Sequence, residues 1–174
     1  MQIVANIEDI DKLRNLIHQS IELASLKVRE RQYSVGSVET MFELRFDRLG
    51  YDPISHTPLN FVEQLNQVFS DLVVLEGARY LLNNYPGMKF QLHLGSEPGF
   101  DIESVDGKVF AECFAVTTVK SNDKLARDAK KLMKLGDDRK KYIFLYTQND
   151  CESYLRKRYS AFPDISYIRI ARLF

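Results

Sequence analysis

Several features that would point to a particular class of protein are scarce or missing in this sequence. Two cysteines, Cys113 and Cys151, are too few for a zinc-binding pattern or a disulfide framework. No stretch approaches the roughly 20 apolar residues that span a bilayer, and the N-terminal residues MQIVANIEDIDKL are acidic where a signal peptide would be basic. A glycine-rich phosphate loop ending in Gly-Lys-Ser/Thr is also missing. We therefore expect a cytoplasmic protein with no membrane partner that does not hydrolyse ATP.

The amounts of apolar and charged residues are those of an ordinary globular protein. Of the 174 residues, 45% are hydrophobic and 28% are charged, which fits one domain with a proper core. The formal net charge of zero conceals an asymmetry, because residues 1–107 carry a net charge of −7 and residues 108–174 carry +7. A basic C-terminal half suits a phosphate-rich partner, and it suits equally two halves that attract each other.

The stretch that organises the chain is GFDIESVDGKVFAECFAV, residues 99–116, which the sequence predicts to be a β-hairpin. The pair Asp106-Gly107 is typical of a two-residue type I′ turn, because both residues tolerate positive φ angles. With these residues as the turn, Asp101 lies directly opposite Glu112. Opposed residues have Cβ atoms roughly 4.5–5.5 Å apart, so that both carboxylates can hold one cation, whereas without a cation they repel each other.

Two interpretations of this acid pair are open. In the first, the acids lie at the solvated end of the hairpin and never meet. The second rests on the surroundings of Glu112, which sits in the apolar run VFAECFAV, typical of a strand buried on both faces. A buried carboxylate requires a partner or a metal.

The remaining elements follow from apolar periodicity and from capping residues. We expect N-caps at Asn6, Ser37, Asn60 and Ser121, a turn-rich connection over 50–58, and a long first helix that is either a lid on the core or a dimerisation surface. The predicted helices cover about 7–31, 60–84, 122–135 and 152–160, and the predicted strands outside the hairpin cover 89–94, 142–147 and 165–173. A shorter helix after Ser37 is expected to contain Met41, Phe42, Leu44 and Phe46. The run YIFLYT at 142–147 is typical of a parallel central strand.

Two helices are expected to add polar side chains to the acid pair. The strand after the 60–84 helix runs antiparallel to it, so Glu63 and Gln67 in its first turns lie near Asp101. The predicted helix after the hairpin has a basic face, which would meet a phosphate backbone close to Glu112. That face carries Lys124, Arg127, Lys130, Lys131 and Lys134.

The order helix, strand, acid-bearing hairpin, basic helix and buried strand resembles the PD-(D/E)XK nuclease superfamily, which has the restriction-endonuclease-like fold, over roughly residues 59–147. That family has an Asp at the start of its second strand, Glu-x-Lys on the third, and often a further Glu on the first helix. Asp101 matches the Asp, Glu112 matches the Glu, and Glu63 is the candidate for the helical acid.

The sequence departs from the family at two positions. Phe114 stands where the family has its lysine, and Phe100 precedes the Asp in place of Pro. Divergent members supply the amine from a neighbouring element, so we expect Lys124 to replace it, with Lys120 and then Lys108 as alternatives.

The resemblance implies an α/β fold with a central mixed β-sheet flanked by helices. Residues 59–174 would form the restriction-endonuclease-like core, and residues 1–58 would form an added N-terminal helical extension that packs on it. The two parts are expected to make one compact unit.

The resemblance further implies a metal-dependent nuclease that cuts a nucleic acid, with DNA favoured over RNA. Mg²⁺ or Mn²⁺ would be held by Asp101, Glu112 and the carbonyl of Cys113, since Mg²⁺ prefers oxygen ligands and keeps several waters. Catalytic roles would fall to Asp101, Glu112, Lys124 and Glu63, and substrate contacts to Lys120, Arg127, Lys131 and Gln67. The alternatives are a catalytically inactive module that binds nucleic acid or a protein, and a structural subunit of a restriction or defence complex that forms a homodimer.

Overall fold

A central six-stranded sheet organises the computed structural model, which describes residues 1–32, 36–95, 97–118, 123–149 and 151–173. The sheet contains β1 (Gln2–Val4), β4 (Phe90–Leu92), β5 (Ile102–Ser104), β6 (Val109–Ala115), β7 (Lys140–Tyr146) and β8 (Ile165–Arg169), in that spatial order. A separate two-stranded sheet is formed by β2 (Gly50–Tyr51) and β3 (Pro58–Leu59). The helices are α1 (Ile7–Gln32), α2 (Ser37–Phe46), α3 (Phe61–Asn84), α4 (Lys124–Leu132) and α5 (Glu152–Ala161).

The central sheet changes direction at β6. The four strands β1, β4, β5 and β6 pair antiparallel, whereas β6, β7 and β8 pair parallel. The predicted α/β class with a mixed sheet flanked by helices is therefore confirmed, as is the parallel central strand. Six of the seven residues of β6 are buried, and the exception is Ala115 at its end. Helices cover both faces of the sheet at this point.

Helix α3 is the longest buried element and begins with a complete capping box. The side chain of Asn60 accepts a hydrogen bond from the backbone amide of Glu63, and the Glu63 carboxylate accepts one from the backbone amide of Asn60. Further along, Gly77 allows α3 to lie close to the sheet. A Cβ at this position would come within 2.7 Å of a ring atom of Phe144 and 3.0 Å of Ile102.

The apolar core has two parts, one on each face of the sheet. Helices α1 and α3 cover one face, and helices α4 and α5 cover the other. The first part includes Ile10, Ile17, Leu72, Leu75, Phe90, Ile102 and Phe144, and the second includes Phe114, Leu125, Leu132, Ile143 and Leu155. Residues 1–58 contribute both to this core and, through β1, to the central sheet.

Some predicted element boundaries differ from those of the structure. The predicted cap at Asn6 is confirmed, because its side chain accepts from the amide of Asp9 at 3.0 Å. The predicted cap at Ser37 is wrong, since α2 already begins at Ser37 and the capping position belongs to Gly36. The predicted cap at Ser121 lies outside the described residues. Helix α4 is shorter than the predicted 122–135, and β1, β2 and β3 were not predicted.

Within the described ranges, no helix combines the length and apolar character needed to cross a membrane.

Candidate functional site

The register of the β5–β6 hairpin brings the two predicted acids together. Ile102 pairs with Ala111, as predicted, and Asp101 and Glu112 are the next residues beyond this last pair of the ladder. A carboxylate oxygen of Asp101, Oδ2, accepts a hydrogen bond of 2.6 Å from the backbone amide of Cys113. The Asp101 carboxylate is therefore held against β6 beside Glu112.

The hairpin turn differs from the predicted type I′ turn. Gly107 has a φ of +65°, whereas Asp106 does not have the positive φ that type I′ requires. The amide of Gly107 donates to the carbonyl of Ser104 at 2.8 Å, and the Ser104 hydroxyl accepts from the amides of Lys108 and Val109, each at 2.9 Å. The prediction of turn type is wrong because a buried serine side chain closes the turn, while the predicted register is confirmed.

The environment of the acid pair disfavours two negative charges. Burial raises the pKa of Glu112 to about 7, and the charge of Asp101 adds to the effect. Burial also raises the pKa of Asp101, against the opposing influence of the Cys113 amide and of the positive charges of Lys124 and Lys131. A cation bound between the carboxylates would relieve this penalty, which explains why such a pair is characteristic of functional sites.

Lys131 on α4 is the lysine that contacts the acid pair. Its ammonium group forms an ion pair with Glu112 Oε1, donates to the carbonyl of Gly99, and lies 4.6 Å from the ring centroid of Phe100. We predicted this residue as a phosphate contact, and its position next to Glu112 was not foreseen. Three different contacts hold one flexible side chain at the site.

Lys124, the predicted replacement for the family's lysine, lies at the start of α4. Its ammonium group is 3.2 Å from Asp128 and 5.4 Å from the ring centroid of Phe114. Phe114 itself is fully buried against α4, so an apolar contact occupies the position where the family has its lysine. The charge of Lys124 nevertheless opposes the rise in the pKa of Asp101 that burial causes.

Glu63, the predicted helical acid, has other partners in the structure. Its carboxylate completes the capping box with Asn60 and forms an ion pair of 2.5 Å with Arg48. These contacts fix Glu63 at the start of α3.

A different acid on α3, Asp71, is buried near the site. Asp71 is 2% exposed, and its Oδ1 accepts from the amide of Gly95 at 2.9 Å. Within the described part of the chain, Asp71 Oδ2 has no hydrogen-bond partner. Burial raises the pKa of Asp71 to about 7, with contributions from the charges of Asp52 and Asp101. Gln67, one helical turn earlier, donates to the Asp52 carboxylate.

Sequence reasoning missed Asp71, although one signal was present. Asp71 is the acid at the i+4 position from Gln67, which we had placed near Asp101, and residues i and i+4 share a helix face. It is followed by the apolar run LVVL, which indicates a buried part of the helix. A buried acid on the predicted site face was therefore detectable from spacing.

The other predicted site residues are more peripheral or lie outside the description. Lys120 falls outside the described residues, and Arg127 is exposed on α4. Lys108 lies at the hairpin turn, where its ammonium group is 3.3 Å from Asp106. The thiol of Cys113 is buried in the core, and burial raises its pKa well above the usual value.

The donor set fits a hard, hydrated cation better than a closed metal cage. Among the described residues, no group of three or more His, Cys, Asp or Glu side chains is arranged to hold a metal ion. Mg²⁺ is commonly held by one or two carboxylates together with waters and substrate phosphates. Asp101 and Glu112 meet that requirement with two oxygen donors whose mutual repulsion a cation would relieve.

No protein-family model matches this chain, and no curated protein and no solved structure matches it. Any functional conclusion therefore depends on the site's own geometry.

Proposed function

We propose that this chain is a metal-dependent nuclease, a divergent relative of the PD-(D/E)XK superfamily, that hydrolyses phosphodiester bonds of a nucleic acid, with DNA the favoured substrate. The observation that supports it most directly is the acid pair of half-buried Asp101, just before β5, and buried Glu112 on β6, with Lys131 of the next helix paired to Glu112. The chain order of α3, β4, the β5–β6 hairpin, α4 and β7 gives further support.

In this proposal, Asp101 and Glu112 hold Mg²⁺ or Mn²⁺, with the carbonyl of Cys113 as a third protein ligand. When bound, such an ion activates a water and stabilises the charge that develops on the phosphate. Asp71 takes the place of Glu63 as the acid of α3 in this proposal, because its carboxylate is buried and the charge of Asp101 contributes to the rise of its pKa.

Lys131 takes the role of the missing family lysine in this proposal. Its ammonium group is anchored by Glu112, by the Gly99 carbonyl and by the Phe100 ring, so it is fixed where a phosphate bound to the acid pair would lie. Lys124 and Arg127 on the same helix supply further positive charge for the nucleic acid backbone.

One observation favours a second candidate, a nuclease-fold module that binds nucleic acid without cutting it. The Lys131 ammonium neutralises Glu112 directly, so that the acid pair is partly compensated without a metal ion. Together with the buried Phe114, this ion pair is what we would expect of a site that stabilises the fold but no longer catalyses a reaction.

The test is cleavage of end-labelled DNA and RNA, single- and double-stranded, with Mn²⁺ or Mg²⁺. We expect cleavage that EDTA and Asp101→Asn both abolish, whereas Glu103→Gln, one strand position beyond Ile102, remains active. Thermal unfolding checks that both variants fold. Cleavage that Asp101→Asn leaves unchanged would contradict the proposed site. Salt-sensitive binding of nucleic acid without cleavage under any of these conditions would support the inactive module.

A further inference from the structure

Helix α4 turns three charged side chains towards the sheet, and one of them is a buried acid, Asp128. Lys124, Asp128 and Lys131 follow each other at spacings of four and three residues, so they share one face of α4. Asp128 is 8% exposed, and its carboxylate oxygen Oδ2 lies 3.2 Å from the ammonium nitrogen of Lys124. Burial raises the pKa of Asp101 and of Glu112, and the charge of Asp128 adds to both shifts. The three carboxylates therefore lie near one another.

The position of Asp128 is unfavourable for folding on electrostatic grounds. A buried carboxylate requires a partner, and the side chain of its ion-pair partner, Lys124, is 37% exposed, so water competes for the ammonium group. Asp128 also adds a third negative charge beside Asp101 and Glu112, which already repel each other. Arrangements that cost stability in this way are characteristic of functional sites.

The contact with Asp128 determines where the Lys124 ammonium group lies. Lys124 begins α4, where a long lysine side chain would otherwise extend its charge into water. Instead, its ammonium nitrogen lies 5.4 Å from the ring centroid of Phe114. Phe114 is two residues after Glu112 on β6, so both side chains are on the same face of the strand. The charge of Lys124 also opposes the rise in the pKa of Asp101 that burial causes.

We propose that Asp128 is a positioning residue that directs the Lys124 ammonium group towards a phosphate of a nucleic acid bound at the acid pair. The inference rests on the proposed function, because it takes a phosphodiester backbone as the ligand of this site. Lys131 is held next to Glu112, whereas Asp128 holds Lys124 over Phe114. Two ammonium groups fixed at separate points can contact different oxygens of the phosphate backbone.

The direction of a mutational effect on nucleic acid binding tests this role. Removing a negative charge from a protein ordinarily strengthens its binding to nucleic acid, because the phosphates are repelled less. We expect Asp128→Asn to do the opposite and to weaken binding about ten-fold, because one charge-assisted phosphate contact is lost. Asp137→Asn removes the same charge from an exposed acid after α4 and is the matched control. It should bind as tightly as the wild type or more tightly.

Fluorescence anisotropy of labelled DNA and RNA, single- and double-stranded, gives the dissociation constants in Ca²⁺ and in EDTA over a range of salt concentrations. Asp128→Asn should lower the slope of log affinity against log salt by about one, as expected for the loss of one phosphate contact. Asp137→Asn should leave this slope unchanged. A side chain that only supports the fold would not change the slope.

A double-mutant cycle shows whether Asp128 acts through Lys124. Lys124→Met should also weaken binding, and adding Asp128→Asn to it should cause no further loss, since there is no ammonium group left to position. Urea unfolding should find Asp128→Asn at least as stable as the wild type, because the variant relieves repulsion at the acid pair. A less stable Asp128→Asn variant whose binding loss persists in the Lys124→Met background would show a structural role and overturn the proposal.

The outcomes separate this inference from the nuclease proposal. Binding that Asp128→Asn leaves unchanged or strengthens would overturn the positioning role alone. Binding without cleavage by the wild type would refute the nuclease alone, and the loss of affinity in Asp128→Asn would still support the positioning role. A wild type that binds none of these nucleic acids would overturn both.

Discussion

Replacing Glu112 by glutamine should stabilise the protein above pH 7, although it removes an ion pair with Lys131. Glu112 is 3% exposed, and burial together with the Asp101 charge raises its pKa from an ordinary 4.5 to about 7. The native protein therefore pays a penalty for ionising this side chain, and the ion pair only partly offsets it. Glutamine has nearly the same shape but carries no charge, and the side chain of Lys131 is 41% exposed, so water can solvate its ammonium group.

The magnitude follows from proton linkage. Each unit of difference between the native and the unfolded pKa changes the free energy of unfolding by about 1.4 kcal/mol. For Glu112 the full difference, from 4.5 to about 7, amounts to about 3 kcal/mol at pH 8. Because the native state binds this proton more tightly, the stabilisation is complete below pH 4.5 and is lost as the pH rises through 7. Between these values the free energy of unfolding should fall with increasing pH.

Urea unfolding at pH 5, 6, 7 and 8 in EDTA provides the measurement. Glu112→Gln should reduce the negative slope of stability against pH by about 1.4 kcal/mol per pH unit between pH 5 and 7. Asp71 also has a pKa raised to about 7, so adding Asp71→Asn should reduce the slope further, while the raised pKa of Asp101 keeps the remaining slope negative. Glu22→Gln, an exposed change on α1, is the control. A Glu112→Gln curve parallel to the wild type, or one that is less stable at pH 8, would refute the reasoning.

Three further changes test the packing that positions the site, each by urea unfolding at pH 7. Gly77→Ala should destabilise by about 1–3 kcal/mol, because the new methyl group would overlap Phe144, and equal or greater stability would contradict that close approach. Asn60→Ala should cost about 1 kcal/mol through loss of the α3 capping box, whereas Asn60→Asp, which keeps the acceptor, should cost little. Ser104→Ala should cost about 1–3 kcal/mol, because the Val109 amide loses its buried acceptor, and Ser104→Thr should retain most of the stability.

The elements that local chemistry specifies strongly were predictable from the sequence. The start of α3 was predictable because Asn60 and Glu63 three residues later form a capping box regardless of the rest of the fold. The hairpin register was predictable because side chains of a strand alternate between the two faces of the sheet. A slip of one residue would move every side chain of β6 to the opposite face. The uninterrupted apolar run of β7 correctly predicted a buried parallel strand.

The elements that depend on distant partners were not predictable. β1 has three residues, too few for a periodic pattern, and it exists because β4 offers it hydrogen bonds from about 90 residues away. The turn type was wrong for a different, local reason: the Asp-Gly pair was considered without Ser104, whose hydroxyl accepts from the amides of Lys108 and Val109.

The candidate site was predictable where it depends on neighbours in sequence and not where it depends on packing between distant elements. Asp101 and Glu112 follow from pairing along one hairpin, a short-range relationship. Asp71 depends on how α3 packs across the sheet, and Lys131 depends on where α4 begins and how it lies over β6. The sequence identified α4 as the source of a lysine, but the choice between Lys124 and Lys131 required the three-dimensional packing.

The hydrogen bond between the Asp101 carboxylate and the Cys113 amide has a spectroscopic consequence. Strand β6 pairs with β7 over its whole length but with β5 only at Phe110 and Ala111, and it is covered on both faces, so amides held in these ladders should exchange with solvent slowly. The amide of Cys113 is held by a side chain instead of a neighbouring strand. Its chemical shift and exchange rate should therefore report the charge and position of the Asp101 carboxylate directly.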